Sequence, residues 1–484
     1  MKEYIAWLPE IFLTIAATAL LTFDLLAPSK RGYVRHLALA TLAVLMGLSV
    51  WAGYEWRELY GVYFQGALRA DMLTTYGRLI FAFAGMLVAL ASWHFYGDES
   101  RSEYYCLLLF SLLGGMVIVS AQTFLMLFLG IELLAIPTYA MTAILKKQEQ
   151  AVEAGLKYFL LGTFASIVML YGIALLYGSL GSISYVKPIF GSPTGFSSAK
   201  LDLLLFAFFF IFMGLGYKIV SFPFHFWSPD VYAGGSTPVV AYISTMPKVA
   251  IILALFRILG PDFATNYPAA QLFLGILAVL SMTYGNLVAL MQDDIKRMLA
   301  YSGVANTGYA MIALVIGGKD AYAALMFFLL VYIFGNIGAF FVVLGLTGQE
   351  PATMKDFAGL GKRSPYLAMS MAIFMFSLAG TPPLAGFFGK FALFKAAVDR
   401  GFAYLALAGL INTVISLGYY LKVTQQMYVA EPEAEVLGGG EVVAVGGAVP
   451  KMAIKGTLSL TLALVIAATL VLGIIGIAWL PALA

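Results

Sequence analysis

Apolar stretches long enough to cross a bilayer recur along the whole chain, at 4–26, 35–53, 79–96, 103–121, 122–145, 153–178, 201–222, 238–256, 269–290, 298–316, 321–346, 366–394, 402–428 and 456–480. A bilayer crossing needs roughly 20 mostly apolar residues, so these stretches predict an all-α polytopic membrane protein of about 14 transmembrane helices. Composition agrees: 62% of residues are hydrophobic and 11% charged, whereas soluble domains carry about 25% charged residues. The mean hydropathy is +0.91. No small-residue cleavage site precedes the first stretch, so Ile5–Leu26 reads as a retained span.

The charge distribution orients the chain. With alternating spans and an outer N-terminus, the inner loops collect Lys30-Arg31, Lys146-Lys147, Lys296-Arg297 and Lys362-Arg363, while Arg69, Arg78, Arg257 and Arg400 fall outside. The positive-inside rule then places both termini on the outer side. One cysteine, Cys106, and three histidines, His36, His94 and His225, cannot ligate an iron–sulfur cluster. Two axial haem histidines are arithmetically available, but His36 sits in a basic loop and His94 and His225 end different spans. Gly361-Lys362 and Gly389-Lys390 lack the remaining residues of a phosphate loop. The reading therefore assigns no cofactor, metal or nucleotide to this chain. It also finds no basic patch with interleaved aromatics for nucleic acid. Cys106 reads as a small buried hydrophobe, and the glycine-rich inner loop 433–452 as a connector.

Charges inside the spans are the informative residues. Glu132 lies mid-span in FLMLFLGIELLAIPTYAMTAIL. Lys157, Lys218, Lys248 and Lys390 each interrupt an apolar run, with Lys395 shortly after. Each costs about 2.5–3.5 kcal/mol at a helix centre. Desolvation disfavours the charged amine and an opposite charge restores it. One unit charge 4 Å away is worth about 4 kcal/mol at an effective dielectric near 20, or roughly three pH units. A buried lysine beside a variable charge is thus a controllable proton site. Lys395 is near a span end, where a snorkelling stem explains it, and snorkelling competes with a relay role for Lys157. One acid cannot neutralise the three deep lysines, so a purely structural ion pair leaves Lys218, Lys248 and Lys390 unexplained. A row of them reads as a relay.

Prolines mark the same places. Pro137 follows Glu132 by five residues, Pro223 follows Lys218 by five, Pro247 abuts Lys248, and Pro382-Pro383 precede Lys390. Proline breaks the helical ladder, and broken backbone at membrane depth is tolerated only where it is buried in protein or lines a cavity. A simple kink competes at any one site. Breaks in the seventh and twelfth spans, five spans apart, point to an inverted repeat. Within one membrane domain, 1–484, this divides the chain into helices 1–3 (1–102), a first repeat of helices 4–8 (103–258), a second of helices 9–13 (269–428) and a final helix (456–480).

The segments FLGIELLAIPTYAM, EAGLKYFLLGTFAS, GLGYKIVSFPFHFWSPDVYAG, STPVVAYISTMPKVA, QDDIKRMLAYSGVANTGY and SLAGTPPLAGFFGKF resemble the antiporter-like subunits of bacterial respiratory complex I, the NADH–quinone oxidoreductase, and subunit N among them. The resemblance covers essentially the whole chain. It implies two inverted five-helix repeats with broken seventh and twelfth helices. It implies that Glu132 pairs with Lys218, that Lys157, Lys248 and Lys390 continue the relay, and that His225 is where a proton could be taken up. A histidine hydrogen-bonded to a loop is the ordinary alternative for His225. M-type subunits carry a glutamate where Lys390 stands, and L-type subunits continue into a lateral helix. The D-type subunits of multi-subunit sodium/proton antiporters, and those of membrane-bound hydrogenases, share the glutamate and lysines and remain rivals. So does a scaffold role in the membrane arm. The implied function is proton translocation in the bacterial inner (plasma) membrane, coupled to quinone reduction elsewhere. The implied partners are a neighbouring antiporter-like subunit, small membrane subunits and lipid, with NADH, FMN, iron–sulfur clusters and quinone held by other subunits.

Overall fold

The computed structural model describes residues 2–27, 32–54, 59–96, 98–185, 198–260, 268–348, 352–430 and 456–483. The loop 433–452 and the basic Lys30-Arg31 lie outside the described residues. The crossings are α1 (Leu8–Leu26), α2 (Val34–Tyr54), α3 (Met72–Ala91), α4 (Asp98–Ser120), α5 (Phe124–Thr142), α6 (Glu149–Leu180) and α7a (Ser198–Ile219) with α7b (Ser228–Gly234). They continue with α8a (Thr237–Ile243) and α8b (Met246–Leu259), α9 (Pro268–Leu290), α10 (Ile295–Ile316), α11 (Gly318–Thr347), α12a (Pro365–Ala379) and α12b (Ala385–Asp399), α13 (Ala403–Tyr428) and α14 (Gly456–Leu483). Among the described residues, 13 helices are long and apolar enough to cross a membrane. The twelfth crossing escapes that count because it is split into halves of 15 residues each.

Lipid gives helices no hydrophobic drive to associate, so close van der Waals contact must hold them, and small residues permit it. A Cβ on Gly114 would lie 2.3 Å from the Leu134 backbone nitrogen, and one on Gly285 would lie 2.6 Å from that of Ala305. The pairs α4/α5 and α9/α10 thus cross backbone to backbone. Helices α8, α10 and α11 are almost wholly enclosed, whereas α1, α2, α6, α13 and α14 present apolar outer faces, with Phe164, Ile167, Val414 and Ile474 exposed.

The breaks expected in the seventh and twelfth crossings are present, and their backbone groups are satisfied across the molecule. After Ile219 the chain leaves the helix with Val220 at φ 61, a conformation strained for a β-branched residue. The Ile219 carbonyl accepts from Thr307 Oγ1 on α10 at 2.8 Å, and the Phe222 N–H donates to Ser281 Oγ on α9 at 3.0 Å. In the twelfth crossing Gly380, at φ 85, ends α12a. The eighth crossing is also interrupted, between Ile243 and Met246, just before the Pro247 that the sequence singles out. Its Ser244 carbonyl accepts from Tyr332 Oη at 2.9 Å, and Ser244 Oγ accepts from Asn336 Nδ2 at 2.6 Å. Pro247 opens α8b rather than kinking a helix, since the second helical position needs no N–H partner. Pro137 lies inside an unbroken α5.

Two further readings change. Residues Gly61–Tyr63 (β1) and Leu68–Ala70 (β2) form a small antiparallel hairpin, Gly61 opposite Ala70. Strands of three residues are too short to leave a periodic signal. Arg78 and Arg257, assigned to the outer charge, are instead buried in ion pairs. Arg78 contacts Glu10 at 2.7 and 2.8 Å, and Arg257 contacts Asp71 at 2.7 and 2.8 Å. Lys296, assigned to an inner loop, is also buried.

Candidate functional site: a row of buried lysines

Lys218 stands in the last turn of α7a, where the negative end of the half-helix favours a cation. Its ammonium donates to Tyr139 Oη at 2.8 Å. Tyr139 is one wall of an aromatic collar: its ring meets Tyr158 edge-on at 4.6 Å, and Tyr158 stacks on Trp227 at 4.6 Å. Tyr139 needs Gly162 beneath it, because a Cβ there would lie 2.2 Å from the hydroxyl. Glu132 lies seven residues before Tyr139, two turns up the same face of α5. Its carboxylate accepts from Ser166 Oγ of α6. Glu132 and Lys218 form no direct ion pair, but the carboxylate acts electrostatically on both Tyr139 and Lys218.

Lys248 is the most enclosed of the row, 1% exposed. It lies in the first turn of α8b, with Nζ 3.5 Å from Tyr332 Oη and 5.9 Å from the Tyr232 ring centre. A cavity of about 10 Å³ adjoins it, lined by Asn306, Thr307, Phe328 and Tyr332 among others. That is close to the space one water requires. Lys390, on α12b, donates to the Ala379 carbonyl at the end of α12a, 3.2 Å away, with the Tyr309 ring centre at 4.6 Å. Behind Tyr309 runs a polar network that sequence reasoning missed. Asn286 Nδ2 reaches Tyr309 Oη at 3.4 Å and the Asn412 carbonyl at 3.0 Å, Tyr419 Oη donates to Asn286 Oδ1 at 2.9 Å, and Ser302 Oγ and Tyr420 Oη are 2.6 Å apart. Buried amides and hydroxyls this far into apolar spans were the available signal.

The other candidates fall elsewhere. Lys157 is an exposed residue on α6, paired with Glu153 at 2.7 Å and Asp230 at 3.3 Å, apart from the enclosed lysines, as a snorkelling side chain would be. The outer face of α6 carries it away from the core. His225 is buried in the seventh-helix break, its ring 4.7 Å from Tyr284, and its Nδ1 has no hydrogen-bond partner among the described residues. Lys395 is partly exposed and tied to Asp399 at 2.7 Å. Among the described residues no group of three or more His, Cys, Asp or Glu could hold a metal ion.

Interrupted membrane helices around a file of enclosed ammonium groups define a class: ion translocators whose sites lie at broken helices. The chain belongs to the family described as NADH:quinone oxidoreductase/Mrp antiporter, transmembrane region, which matches residues 121–416. It is 39% identical over 433 residues to NADH-quinone oxidoreductase subunit N of Trichlorobacter lovleyi, covering 88% of each chain. It is 37% identical to NAD(P)H-quinone oxidoreductase subunit 2 of Synechocystis over 431 residues, 88% of this chain and 82% of that one. A chain of respiratory complex I from Thermus thermophilus with bound aureothin superposes with a TM-score of 0.81 at 30% identity, covering 98% of this chain and 99% of that one. A chain of the Mrp complex from Dietzia reaches 0.85 over 99% and 95%, but at 20% identity it speaks to fold alone.

Proposed function

We propose that this chain carries protons along Glu132, Lys218, Lys248 and Lys390 as the subunit-N-type member of an NADH-quinone oxidoreductase in the bacterial inner membrane. In this reading both termini lie on the outer side. The units 103–258 and 269–428 act as the two repeats of the relay, flanked by 1–102 and 456–480. Other subunits hold FMN, the iron–sulfur clusters and quinone, and a neighbouring antiporter-like subunit and small membrane subunits cover the apolar outer faces.

One observation carries the reading. Some lysines nearer the surface, Lys146, Lys157, Lys395 and Lys422, are each paired with a carboxylate. The buried Lys218, Lys248 and Lys390 rest on hydroxyls, a carbonyl and aromatic faces instead. A lysine buried for structure would be neutralised, because breaking a buried pair costs about 3–5 kcal/mol. These three are held so that their charge can change. Quinone reduction elsewhere perturbs the neighbouring subunit and so the field at Glu132. When the carboxylate's pull on Lys218 weakens, the Lys218 proton passes to Lys248. Lys390 then discharges to the outer side while Lys218 reloads from the inner side, with His225 in the break as the uptake group. Lys157, held by Glu153 and Asp230, contributes charge at that loading surface. The test replaces Glu132, Lys218 and Lys248 singly by Gln in the assembled complex and follows proton pumping and quinone reduction in vesicles. Pumping at the parental rate in all three removes the proposal.

A further inference from the structure

A fourth enclosed lysine is left over. Lys296 is 2% exposed, stands in the first turn of α10, and donates to the Gly235 carbonyl at 3.3 Å. An ammonium has three donors, and this is the one hydrogen bond Lys296 makes among the described residues. Helix stability does not explain it, since the first turn is where the macrodipole opposes a cation. Its charged surroundings are Asp294, which caps α10 and acts on it electrostatically, and the adjacent surface cluster of Arg297, Asp230, Lys157 and Glu153.

The geometry of α10 connects this residue to the relay. Gly303 lies seven residues after Lys296, two turns and so about 10 Å further along the same face. Gly303 is the seat of Lys248: a Cβ there would lie 2.5 Å from the Lys248 Nζ. The other wall is α7b and the loop after it. Gly235, which holds Lys296, follows Tyr232 by three residues, and the Tyr232 ring lies beneath the Lys248 ammonium. Tyr232 is fully buried, and its hydroxyl has no hydrogen-bond partner among the described residues.

We propose that Lys296 is a second loading site for Lys248, with the Tyr232 hydroxyl as the group between them. The inference rests on the relay proposed above. A proton taken up near Asp230 sits on Lys296. It passes through the Tyr232 hydroxyl, which gives up one proton as it accepts another, to the neutral amine of Lys248. Lys296 is left neutral until it reloads.

The experiment uses the assembled complex in membrane vesicles, with Lys296→Arg and Tyr232→Phe read as proton-coupled quinone reduction and Lys248→Gln as the control. Arginine keeps the charge and a donor for Gly235 but does not release its proton, so a structural tie is rescued by it and a relay is not. The expected result for Lys296→Arg is normal assembly with about a tenfold loss of coupled turnover, below the range of about 10²–10⁴ for a positioned proton-transfer group because Lys218 still loads Lys248. Parental turnover in Lys296→Arg overturns the proposal. If that variant does not assemble, Tyr232→Phe decides, since it removes a hydroxyl that holds nothing in place: loss of turnover supports the proposal and retention overturns it. Parental pumping in Lys248→Gln together with Glu132→Gln and Lys218→Gln would instead overturn the relay itself, which separates the two failures.

Discussion

Lys248 sits directly on Gly303, and that contact separates stability from activity. The colliding atom is the tip of a flexible side chain, so Gly303→Ala shifts the ammonium rather than the helix. Alanine also favours the helix by about 0.5–1 kcal/mol over glycine. The variant is therefore expected to assemble at least as well as the parent while losing coupled turnover several-fold, measured by blue-native gel and by quinone reduction in the same vesicles. A second residue-scale prediction concerns Asp71, just outside α3. Burial opposes its charge, but Arg257, the Thr74 N–H and Arg69 outweigh burial and hold its carboxyl below the usual value of 3.8. A carboxyl held low stabilises the fold above its unfolded value, and that stability is lost as pH falls through the folded value. Arg257→Gln removes the main opposing partner, so the Asp71 carboxyl moves up. Arg69 and the Thr74 N–H stay in place and Asp71 is partly exposed, so the fold loses less near neutral pH than a fully buried broken pair, which costs about 3–5 kcal/mol. The gap in melting temperature between variant and parent should then narrow on acidification, as Asp71 takes a proton in the variant first. The lysines were legible in the sequence because a charge in an apolar run identifies itself. Their seats were not: Tyr139 and Tyr332 lie 79 and 84 residues from Lys218 and Lys248, and the chain has 28 tyrosines to choose among. Lys296 was misread for the converse reason, since a Lys-Arg pair beside two aspartates looks like any basic loop.

At the scale of the element, what matters is how a broken helix survives in lipid. The seventh crossing leaves the Ile219 carbonyl without a helical partner, and Thr307 of α10 satisfies it. Thr307→Val keeps the side-chain shape and removes the donor. An orphaned buried acceptor costs about 1–3 kcal/mol, so a lower melting temperature of the assembled complex is expected, with coupled turnover reduced as the break loosens beside Lys218. An unchanged melting temperature would mean that the carbonyl is satisfied some other way. Prolines pointed correctly to the seventh and twelfth breaks because no partner can restore a missing N–H. They misled at Pro137, which α5 absorbs, whereas Pro247, the second residue of α8b, did fall at a break. Pro247 alone did not tell a break from a kink in the eighth crossing, because Tyr332 and Asn336 of α11 hold Ser244 open, and a local reading contains no tertiary partner.

For the whole molecule, the two proposed repeats are interlocked rather than side by side. Helix α10 of the second supplies Thr307 to the broken seventh helix and the Gly303 seat to Lys248 of the eighth. The file of lysines thus starts in one unit and ends at Lys390 in the other, with the Asn286, Tyr309 and Tyr419 network lying behind the last step. A single path through both units makes a prediction that two independent half-channels do not. Independent routes add their fluxes, so Lys218→Gln or Lys390→Gln alone would leave the other unit's route running, and only the double variant would lose most of its coupled turnover. A single path fails at the first removal, since residues acting as a unit lose their function together. Each single variant should therefore already lose most of its coupled turnover, and the double variant should fall no further than the worse single one. The cycle needs four complexes, parental, two single and one double, each assayed for quinone reduction with and without an uncoupler. The uncoupled rates show whether a loss lies in proton movement or in electron transfer. Small losses in both single variants with a severe loss in the double one would mean that protons cross the two units separately, and that the contacts of α10 with the first unit serve packing alone.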